Sequence, residues 1–505
     1  MNSINKNNKE DSITVLIVTS VGTGLRYFFH TGIIANLIKS GIKVVALVPN
    51  SNKVENDLKL SLPSVQLSDL SMCQHTSKSG WLYSTLVTIM ESTVQYLRMA
   101  GVSNKMNRSV FRDVQTHQNR QWNHTKFRFL LPIWNLLASI LQRSQISRQI
   151  FRKFASARPI KSLGYDPFTQ YRPSLVVTNS PGWWPGEEVI IREASKRGVP
   201  STAILVGWDH TASQGLPLAM PDRIRTWSEI QKNELVDGCD VSAKSIDVGG
   251  VAYFDHYKKS EPPMSCKEYL VQNGLDPSKK LISFGCTFVG ISSNVGIVQA
   301  LAQAIAQDKF NHPSQLLIRL HPSHFKKPRN DSIESDLQTL KEVEIYKDIA
   351  RSIPDVHINT PDFSTDAVAN ATTKNDMINV SSLLKYSDVF VTLFSTMVLE
   401  AALNDTPIVS VAIDPPSEWK EGRLMSIMDA LDWPTHERIV DSNTSIVAMN
   451  YDEMIKGINT YVDNPKLHSK QRRDFAIQEC TYIDGNSADR IAQYISDLAT
   501  SNSLT

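Results

Sequence analysis

The side chains best suited to chemistry lie close together after Asp388. An apolar run that follows it ends near Leu393, and Ser395, Thr396 and Glu400 come next. Hydroxyl groups and free backbone amides at the start of a helix bind phosphate oxygens, and a carboxylate one turn further on can accept hydrogen bonds from a ribose. The segment therefore predicts a site for a nucleoside diphosphate. The alternative is an ordinary N-cap serine before a solvent-facing glutamate.

A second group of polar residues follows another apolar run. Arg319 offers a fork of donors that suits phosphate oxygens, and His321 can donate to phosphate or to a leaving group. We assign Gly285 and Thr287, at the end of the run that begins at Leu281, to the same predicted nucleotide-binding set. The alternative for Arg319 and His321 is a surface basic pair beside a turn-forming proline.

No metal site and no cofactor are expected, and the nucleotide is expected as a substrate. The pair of residues that could most readily be imagined as metal ligands is His321 and His324. Pro322 breaks the helical spacing between them, and no partner carboxylate is evident.

A base that deprotonates an acceptor should come from the first half of the chain. Asp209 and His210 follow an apolar run of strand length and are the leading pair. His30 is the alternative, although a lone histidine on an apolar helix is more often structural.

These residues need strands and helices to position them. Apolar, β-branched runs alternate with stretches of helical periodicity in the first half of the chain, with Gly22 and Gly24 in the first strand-to-helix turn. A single helix is predicted over residues 27–38. A capping-box spacing, Ser228 to Gln231, predicts a helix that ends at Val236. The predicted strands cover residues 13–19, 43–48, 174–178, 202–206, 223–227 and 245–248.

A second strand and helix series begins after a charged stretch that contains Pro262 and Pro263. Its predicted strands cover residues 281–285, 315–320, 389–393 and 408–413, and a helix covers residues 294–307. Two such series predict an α/β protein with two doubly wound, Rossmann-like domains that face a cleft. The expected boundaries are residues 1–257, a linker at 258–279, residues 280–480, and a C-terminal helix over 481–505 that crosses back to the N-terminal domain.

A helical insertion over about residues 84–165 carries a strong charge asymmetry. Between Arg98 and Lys161 there are thirteen Lys and Arg residues and one acidic residue, Asp113, although the net charge of the whole chain is only +2. Large apolar residues alternate with these cations. One interpretation is an interfacial segment that binds anionic lipid, and the other is a solvated helical arm. No nucleic acid partner is expected, because no binding motif accompanies the charge.

The remaining composition predicts a reducing compartment. The five cysteines are scattered without paired spacing, which favours free thiols. The first residues lack the apolar core of a signal peptide, so we expect a cytoplasmic protein, with peripheral attachment to the inner face of the membrane if the basic insertion binds lipid.

The order and spacing of several motifs resemble bacterial surface-carbohydrate glycosyltransferases of the GT-B architecture. The motifs begin at Gly207, Arg225 and Asp247 and continue with the Arg319 and Ser395 segments and Asp484 to Arg490. The last three also resemble relatives of the CDP-glycerol glycerophosphotransferases. The sequence departs from the relatives at His210 and Gln214, where they have asparagine and lysine.

This resemblance implies an enzyme that transfers a sugar from a nucleoside diphosphate donor to a glycan or lipid-linked acceptor in surface polysaccharide synthesis. It implies that the C-terminal domain holds the donor and the N-terminal domain holds the acceptor. The alternatives are a glycerophosphotransferase that uses CDP-glycerol, a nucleotide-sugar 2-epimerase, and a scaffold protein that has lost catalysis.

Overall fold

The computed structural model contains two sheets in which every strand pair is parallel. It describes residues 13–52, 62–70, 81–125, 127–158, 163–259, 263–288, 292–325, 334–363, 371–414 and 426–501. The first sheet holds β1 (Thr14–Val18), β2 (Lys43–Val48), β3 (Gln66–Asp69), β4 (Leu175–Thr178), β5 (Ser201–Ile204), β6 (Arg223–Thr226) and β7 (Ile246–Val248). The second holds β8 (Lys280–Gly285), β9 (Ser314–Arg319), β10 (Val356–Asn359), β11 (Val389–Thr392), β12 (Ile408–Val411) and β13 (Ile446–Ala448).

Both sheets have the strand order of a doubly wound fold. The first sheet runs β3-β2-β1-β4-β5-β6-β7 and the second β10-β9-β8-β11-β12-β13, so the order reverses between β1 and β4 and again between β8 and β11. In such sheets, ligands bind beyond the carboxyl ends of the strands at the point of reversal. The prediction of two Rossmann-like domains is confirmed. The sequence patterns missed β3, β10 and β13.

Helices cover both faces of the sheets. Along β1, Val15 and Ile17 lie in one apolar cluster and Leu16 and Val18 in another, because successive side chains of a strand point to opposite faces. The N-terminal helices are α1 (Gly22–Phe29), α2 (Ile33–Lys39), α3 (Trp81–Ala100), α4 (Ser109–Asn123), α5 (Leu131–Arg143), α6 (Gln145–Ala157), α7 (Pro167–Tyr171), α8 (Pro185–Arg197), α9 (His210–Ser213), α10 (Glu229–Cys239) and α11 (His256–Lys259). The later ones are α12 (Cys266–Gln272), α13 (Val295–Ala306), α14 (Glu334–Ser352), α15 (Lys374–Tyr386), α16 (Thr396–Leu403), α17 (Pro434–Asp441), α18 (Tyr451–Asp463), α19 (Ser469–Cys480) and α20 (Ser487–Thr500).

The prediction of one helix over residues 27–38 is wrong, because α1 and α2 are separate. The chain leaves the helix at His30, whose ring is held by the second domain, and Gly32 is the N-cap of α2. The glycine turn before α1 is also shorter than predicted, since α1 already begins at Gly22. A side chain at Gly24 would meet the amide of Asn179 at 2.9 Å, so packing explains this glycine.

Two predicted caps do not form. Ser228 is the N-cap of α10, but its hydroxyl caps nothing, and the Gln231 side chain accepts from the amide of Trp227 instead. Helix α10 also continues to Cys239, beyond the predicted end. Ser395 occupies the N-cap position of α16 without a side-chain cap. In both places the extended backbone of the serine supports the helix start, while its hydroxyl stays available to other partners.

The connection between the domains is more structured than an extended linker. Helix α12 begins with a complete capping box between Ser265 and Glu268, and it buries Tyr269 and Leu270. The hydroxyl of Tyr269 lies 3.3 Å from the side chain of Asn379 in α15. Residues 266–272 therefore pack on the second domain.

The last helix, α20, packs on the first domain. Asp255 accepts hydrogen bonds from the amides of Ser487 and Ala488 at 3.0 and 2.7 Å and so caps the helix from a distance. Asn36 of α2 donates to Asp489 at 2.6 Å. These contacts tie the end of the chain to the domain in which it begins.

The insertion between β3 and β4 is helical, and several of its cations form ion pairs within the first domain or with the second domain. Arg148 forms a buried ion pair with Asp240 at 2.6 Å, and Arg158 forms one with Glu188 at 2.7 Å. Arg112 reaches Asp432 of the second domain at 2.9 Å. Part of the predicted basic excess is therefore neutralised inside the protein.

No helix among the described residues has both the length and the apolar character needed to cross a membrane. The described cysteines, Cys239, Cys266, Cys286 and Cys480, are free thiols. Cys73 lies outside the described residues.

Candidate functional site

The second sheet brings five predicted binding residues to the carboxyl ends of the adjacent strands β9, β8 and β11. Gly285 ends β8, and its register partners are Thr392 on one side and Arg319 on the other. Ser395 and Thr396 follow β11, and Thr287 follows β8, the strand that pairs with β11. A ligand that binds beyond the strand ends in the usual way would meet these residues together.

The start of α16 offers backbone donors at this point. The Thr392 hydroxyl donates to the carbonyl of Gly285 at 2.9 Å and fixes the turn from which the helix begins. Within the described residues, the amides of Thr396 and Met397 have no protein acceptor. Two donors and the positive end of the helix dipole therefore face the space beyond the strands, which favours an anion there.

Gly285 has a steric role that needs no ligand. A Cβ at this position would lie 2.6 Å from the Phe390 ring and 3.1 Å from the sulfur of Met397. The glycine therefore lets β8 and α16 approach each other closely. Its assignment to nucleotide binding stays a prediction, as does that of Thr287, whose amide donates to Asn294 at 3.2 Å.

Arg319 is buried, and its side chain is held by protein groups. One terminal nitrogen donates to Asn359 at 2.7 Å, and the other donates to both oxygens of Asp376 at 2.7 and 2.8 Å. Its charge is compensated inside the domain, so the fork of donors does not project freely toward a phosphate. The predicted contact of Arg319 with a phosphate stays a prediction, and it would require a donor that is already bonded to Asn359 or Asp376.

His321 presents a defined donor. The amide of Ser323 donates to its Nδ1 at 3.0 Å, so the neutral ring carries its proton on Nε2. The ring of Phe288 contacts the imidazole with centroids 6.1 Å apart. The predicted contact of His321 with a phosphate oxygen stays a prediction.

Glu400 lies at the interface between the two domains. Its side chain is buried on α16, and its Oε2 accepts a hydrogen bond from the hydroxyl of Tyr257, in the first domain. Burial raises the pKa of Glu400, and it raises the pKa of Tyr257 well above its usual value. The sequence predicted a ribose-binding carboxylate, and the structure shows that one of its oxygens already has a protein partner.

His30 also bridges the domains, close to the same region. Its Nε2 donates to the carbonyl of Thr372 at 3.0 Å, which leaves Nδ1 as a buried acceptor without a partner in the described residues. Burial lowers the pKa of His30 to about 4. Arg26, one turn earlier, lies 3.4 Å from the Thr372 hydroxyl and 5.5 Å from the centre of the Tyr253 ring.

Asp209 and His210 occupy different surroundings although they are adjacent. Asp209 is exposed and accepts from Ser213 at 2.8 Å. The ring of His210 meets the edges of two tryptophans, Trp183 and Trp184, with centroids 6.0 and 6.1 Å away. Burial lowers the pKa of His210, so the ring is neutral at pH 7 and its Nδ1 has no partner in the described residues.

The sequence patterns missed His436, which belongs to the second domain. Its ring is sandwiched between Phe394 and Trp433, with centroids 4.8 and 5.2 Å away, and its Nδ1 donates to the carbonyl of Ala430 at 2.8 Å. Burial lowers the pKa of His436 to about 4, and the negative charge of Asp209 acts on it in the opposite direction. Asp209 therefore lies near the second domain. Only the fold reveals this, because no local motif surrounds His436.

A buried group of charged side chains joins the two domains near Asp209 and His436. Trp208 donates to Glu479 at 2.6 Å, and Arg438 pairs with Glu479 at 2.7 Å and with Glu234 at 3.2 Å. Trp208 and Glu234 come from the first domain and the other two residues from the second. These contacts hold the two domains together at this point.

Glu187 is a second residue that the sequence patterns missed. It lies at the reversal point of the first sheet, fully buried, and accepts from Ser180, with the amide of Asn179 oriented toward it. Burial raises its pKa well above the ordinary value. Its hydrogen bonds make it a structural group of the first domain. No group of three or more potential ligands is placed for a metal ion among the described residues.

Comparison with known proteins points to one family and one fold. The sequence model described as CDP-glycerol:poly(glycerophosphate) glycerophosphotransferase matches residues 239–497, just over half of the chain. A search of curated protein sequences finds no match.

Two solved structures share the fold. A protein assigned as a UDP-N-acetylglucosamine 2-epimerase from Listeria monocytogenes has a TM-score of 0.52 at 12% identity, with 96% of each chain covered. A glycosyltransferase from Rickettsia africae has a TM-score of 0.50 at 11% identity, with 98% of this chain and 100% of the other covered. At such identities the likeness shows the two-domain GT-B fold alone.

Proposed function

The chain belongs to the CDP-glycerol:poly(glycerophosphate) glycerophosphotransferase family, and from this we propose that it transfers the activated group of a nucleoside diphosphate donor to a hydroxyl of a glycan or lipid-linked acceptor. The observation that carries the proposal is the position of Ser395, Thr396 and Glu400 at the reversal point of the second sheet, facing the first domain. Domains of this type bind nucleotides at that point.

Negative charge develops on the departing nucleotide during transfer. The backbone amides of Thr396 and Met397 are the donors that we assign to it, and His321 stays a predicted contact on the neighbouring strand end. Donors that are fixed before the reaction stabilise such charge without reorganisation. The Asp376 carboxylate holds Arg319, which keeps the strand end in place for these donors.

The acceptor hydroxyl needs a base from the first domain. We assign this role to Asp209, because its carboxylate is exposed and lies near His436 of the second domain. His210 and His30 stay as alternatives, since each is neutral at pH 7 and keeps a ring nitrogen without a partner in the described residues. Asp209→Asn should lower kcat strongly with little change in nucleotide affinity, while Ser213→Ala, which removes only its hydrogen-bond partner, should have a small effect.

Two donor chemistries fit this arrangement. With a nucleotide sugar, the acceptor oxygen attacks the anomeric carbon and the nucleoside diphosphate leaves. With CDP-glycerol, the acceptor attacks the phosphorus that bears glycerol, and CMP leaves. Family membership favours CDP-glycerol, and the motif pattern in the first domain favours a sugar. The same donors at α16 serve either reaction.

A thermal-shift panel distinguishes these possibilities. The purified protein is melted with UDP, CDP, GDP and their sugar or glycerol conjugates. The nucleotide that raises Tm most identifies the nucleobase of the donor. Glu344→Gln, an exposed carboxylate on α14 that pairs with Lys347, is the control variant that should keep the shift. If no nucleotide raises Tm, the transferase proposal fails. If a UDP-sugar is converted to its C2 epimer without an acceptor, epimerisation replaces transfer.

A further inference from the structure

Arg26 of α1 lies at the domain interface, half-buried and without an ion-pair partner in the part of the chain that the structure describes. Its Nη1 lies 3.4 Å from the Thr372 hydroxyl of the second domain, and its guanidinium carbon lies 5.5 Å from the centre of the Tyr253 ring. Its Nε is buried and has no acceptor among the described residues. Because an unpaired charge at a buried interface costs stability, this arrangement indicates a partner that arrives with a ligand.

Two other arginines near the same interface are already neutralised by carboxylates. Arg319 pairs with Asp376 at 2.7 Å, and Arg438 pairs with Glu479 at the same distance. Their donors would have to leave these partners before they could bind an anion. Arg26 has no such partner to leave, since its one hydrogen bond to a described residue is the long contact with a hydroxyl.

The fold places Arg26 beside the predicted donor site. Helix α1 follows β1, at the point where the order of the first sheet reverses, so it lies beyond the carboxyl ends of those strands. Burial raises the pKa of Glu400, and the positive charge of Arg26 acts in the opposite direction across the interface.

Glu400 also relates Arg26 to the start of α16. The carboxylate lies four residues after Thr396, so the free amides at the start of that helix are about 6 Å back along its axis. A nucleotide that contacts both the amides and Glu400 would therefore extend beside Arg26. The phosphates are the part of such a ligand that an unpaired guanidinium recognises.

We propose that Arg26 binds the phosphate groups of the donor from the first domain, while the amides of Thr396 and Met397 bind them from the second. Guanidinium and phosphate form charge-assisted and often bidentate pairs, and the terminal nitrogens of Arg26 supply a fork of donors for this. The inference rests on the proposed function and deepens it. It means that the nucleotide is held between the two domains, and that Arg26 neutralises the charge that develops on the departing nucleotide.

The alternative is that Arg26 only compensates the charge of Glu400. Loss of Arg26 would then act on the ribose contact, and it would weaken the binding of a nucleoside as much as that of a nucleotide. A direct contact with phosphate predicts a loss for the nucleotide alone. The two interpretations therefore differ in a measurable ratio.

The test compares ligands with and without phosphates. The Kd values of UDP, CDP and GDP, and of uridine, cytidine and guanosine, are measured by NMR titration for the wild type and for Arg26→Gln. We expect the Kd of the diphosphate that binds best to rise by about 10- to 100-fold in the variant. The Kd of the matching nucleoside should stay near that of the wild type.

Arg197→Gln is the matched control in the first domain. The Arg197 guanidinium lies over an aromatic ring as that of Arg26 does, 5.0 Å from the centre of Phe168, but it pairs with Asp166 at 3.0 Å. Its loss should leave both Kd values unchanged. Arg26→Met keeps the length of the side chain and its packing against Tyr253, so it gives the same test if Arg26→Gln does not fold.

An unchanged diphosphate Kd in the Arg26 variants overturns the proposal. An equal loss of affinity for the nucleoside also overturns it, because Arg26 would then act through Glu400. A wild-type protein that binds none of the three diphosphates would refute the donor site and the Arg26 contact together. If the wild type binds a diphosphate and the variants bind it equally well, only the Arg26 contact is refuted and the proposed donor site stands.

Discussion

The hydrogen bond between Tyr257 and Glu400 predicts that loss of the tyrosine hydroxyl lowers the stability of the protein and strengthens nucleotide binding. If Glu400 holds a ribose through both carboxylate oxygens, the Oε2 atom must exchange Tyr257 for a ribose hydroxyl. A hydrogen bond to a charged group contributes about 1.5–3 kcal/mol to stability. Tyr257→Phe should therefore lower the free energy of unfolding by about that amount. The substitution should also favour nucleotide binding, because the ribose hydroxyl no longer has to displace the Tyr257 hydroxyl from Oε2.

The expected gain in affinity follows from the same energy. Since 1.4 kcal/mol corresponds to a factor of ten, the Kd of the nucleotide should fall by about 10- to 100-fold in Tyr257→Phe. Glu400→Gln should instead weaken binding, because the amide cannot accept from both ribose hydroxyls. Isothermal titration calorimetry with the nucleotide identified by the thermal-shift panel measures both variants.

Tyr253→Phe is the matched control. Tyr253 is also buried near Glu400 and loses the same hydroxyl group, but no hydrogen bond joins it to the carboxylate in the described residues. Its nucleotide Kd should stay near that of the wild type. If Tyr257→Phe weakens binding as much as Glu400→Gln does, the two residues act together to hold the domains. The idea that Tyr257 competes with ribose is then refuted.

Three further predictions concern stability. Arg148→Met should cost about 3–5 kcal/mol in urea unfolding, since Asp240 loses its buried ion pair, and R148M/D240N should recover part of the loss; equal losses in both would contradict this. The pKa of His436 falls from 6.5 to about 4, so the unfolded chain takes up a proton first as the pH drops, and about 3 kcal/mol of stability should be lost between those values. His436→Gln should flatten that pH profile, and an unchanged slope would exclude His436 as its source. Gly285→Ala should lower Tm, with about 1–3 kcal/mol lost to overpacking against Phe390 at 2.6 Å, and an unchanged Tm would mean that the ring moves freely.

Local patterns were sufficient for most of the fold. Continuous apolar runs predict β1, β8 and β11 because strands covered on both faces need no polar alternation. The turn from β11 into α16 was also readable, since a serine followed by a helical run is a local signal. Short strands such as β13, with three residues, carry too little pattern to be recognised before their neighbours are known.

The sequence predicts where the candidate site lies better than it predicts which side chains are free to bind a ligand there. The sequence places Ser395, Thr396 and Glu400 after one strand and Arg319 after another, and parallel topology brings those strand ends together. It does not tell which side chains are already engaged. The Asp376 partner of Arg319 is 57 positions away in the chain, so no spacing rule connects them.

By itself, the sequence determined the two α/β domains, the helix start at Thr396 and the basic insertion, because each depends on residues within one or two turns of each other. Only the tertiary structure decided that His30 leaves its helix to reach Thr372, that Tyr257 holds Glu400, and that the insertion leaves several large apolar side chains exposed. Such contacts join residues that are more than a hundred positions apart or depend on which face a neighbouring element covers. They are set by packing energy across the whole chain, which no local pattern records.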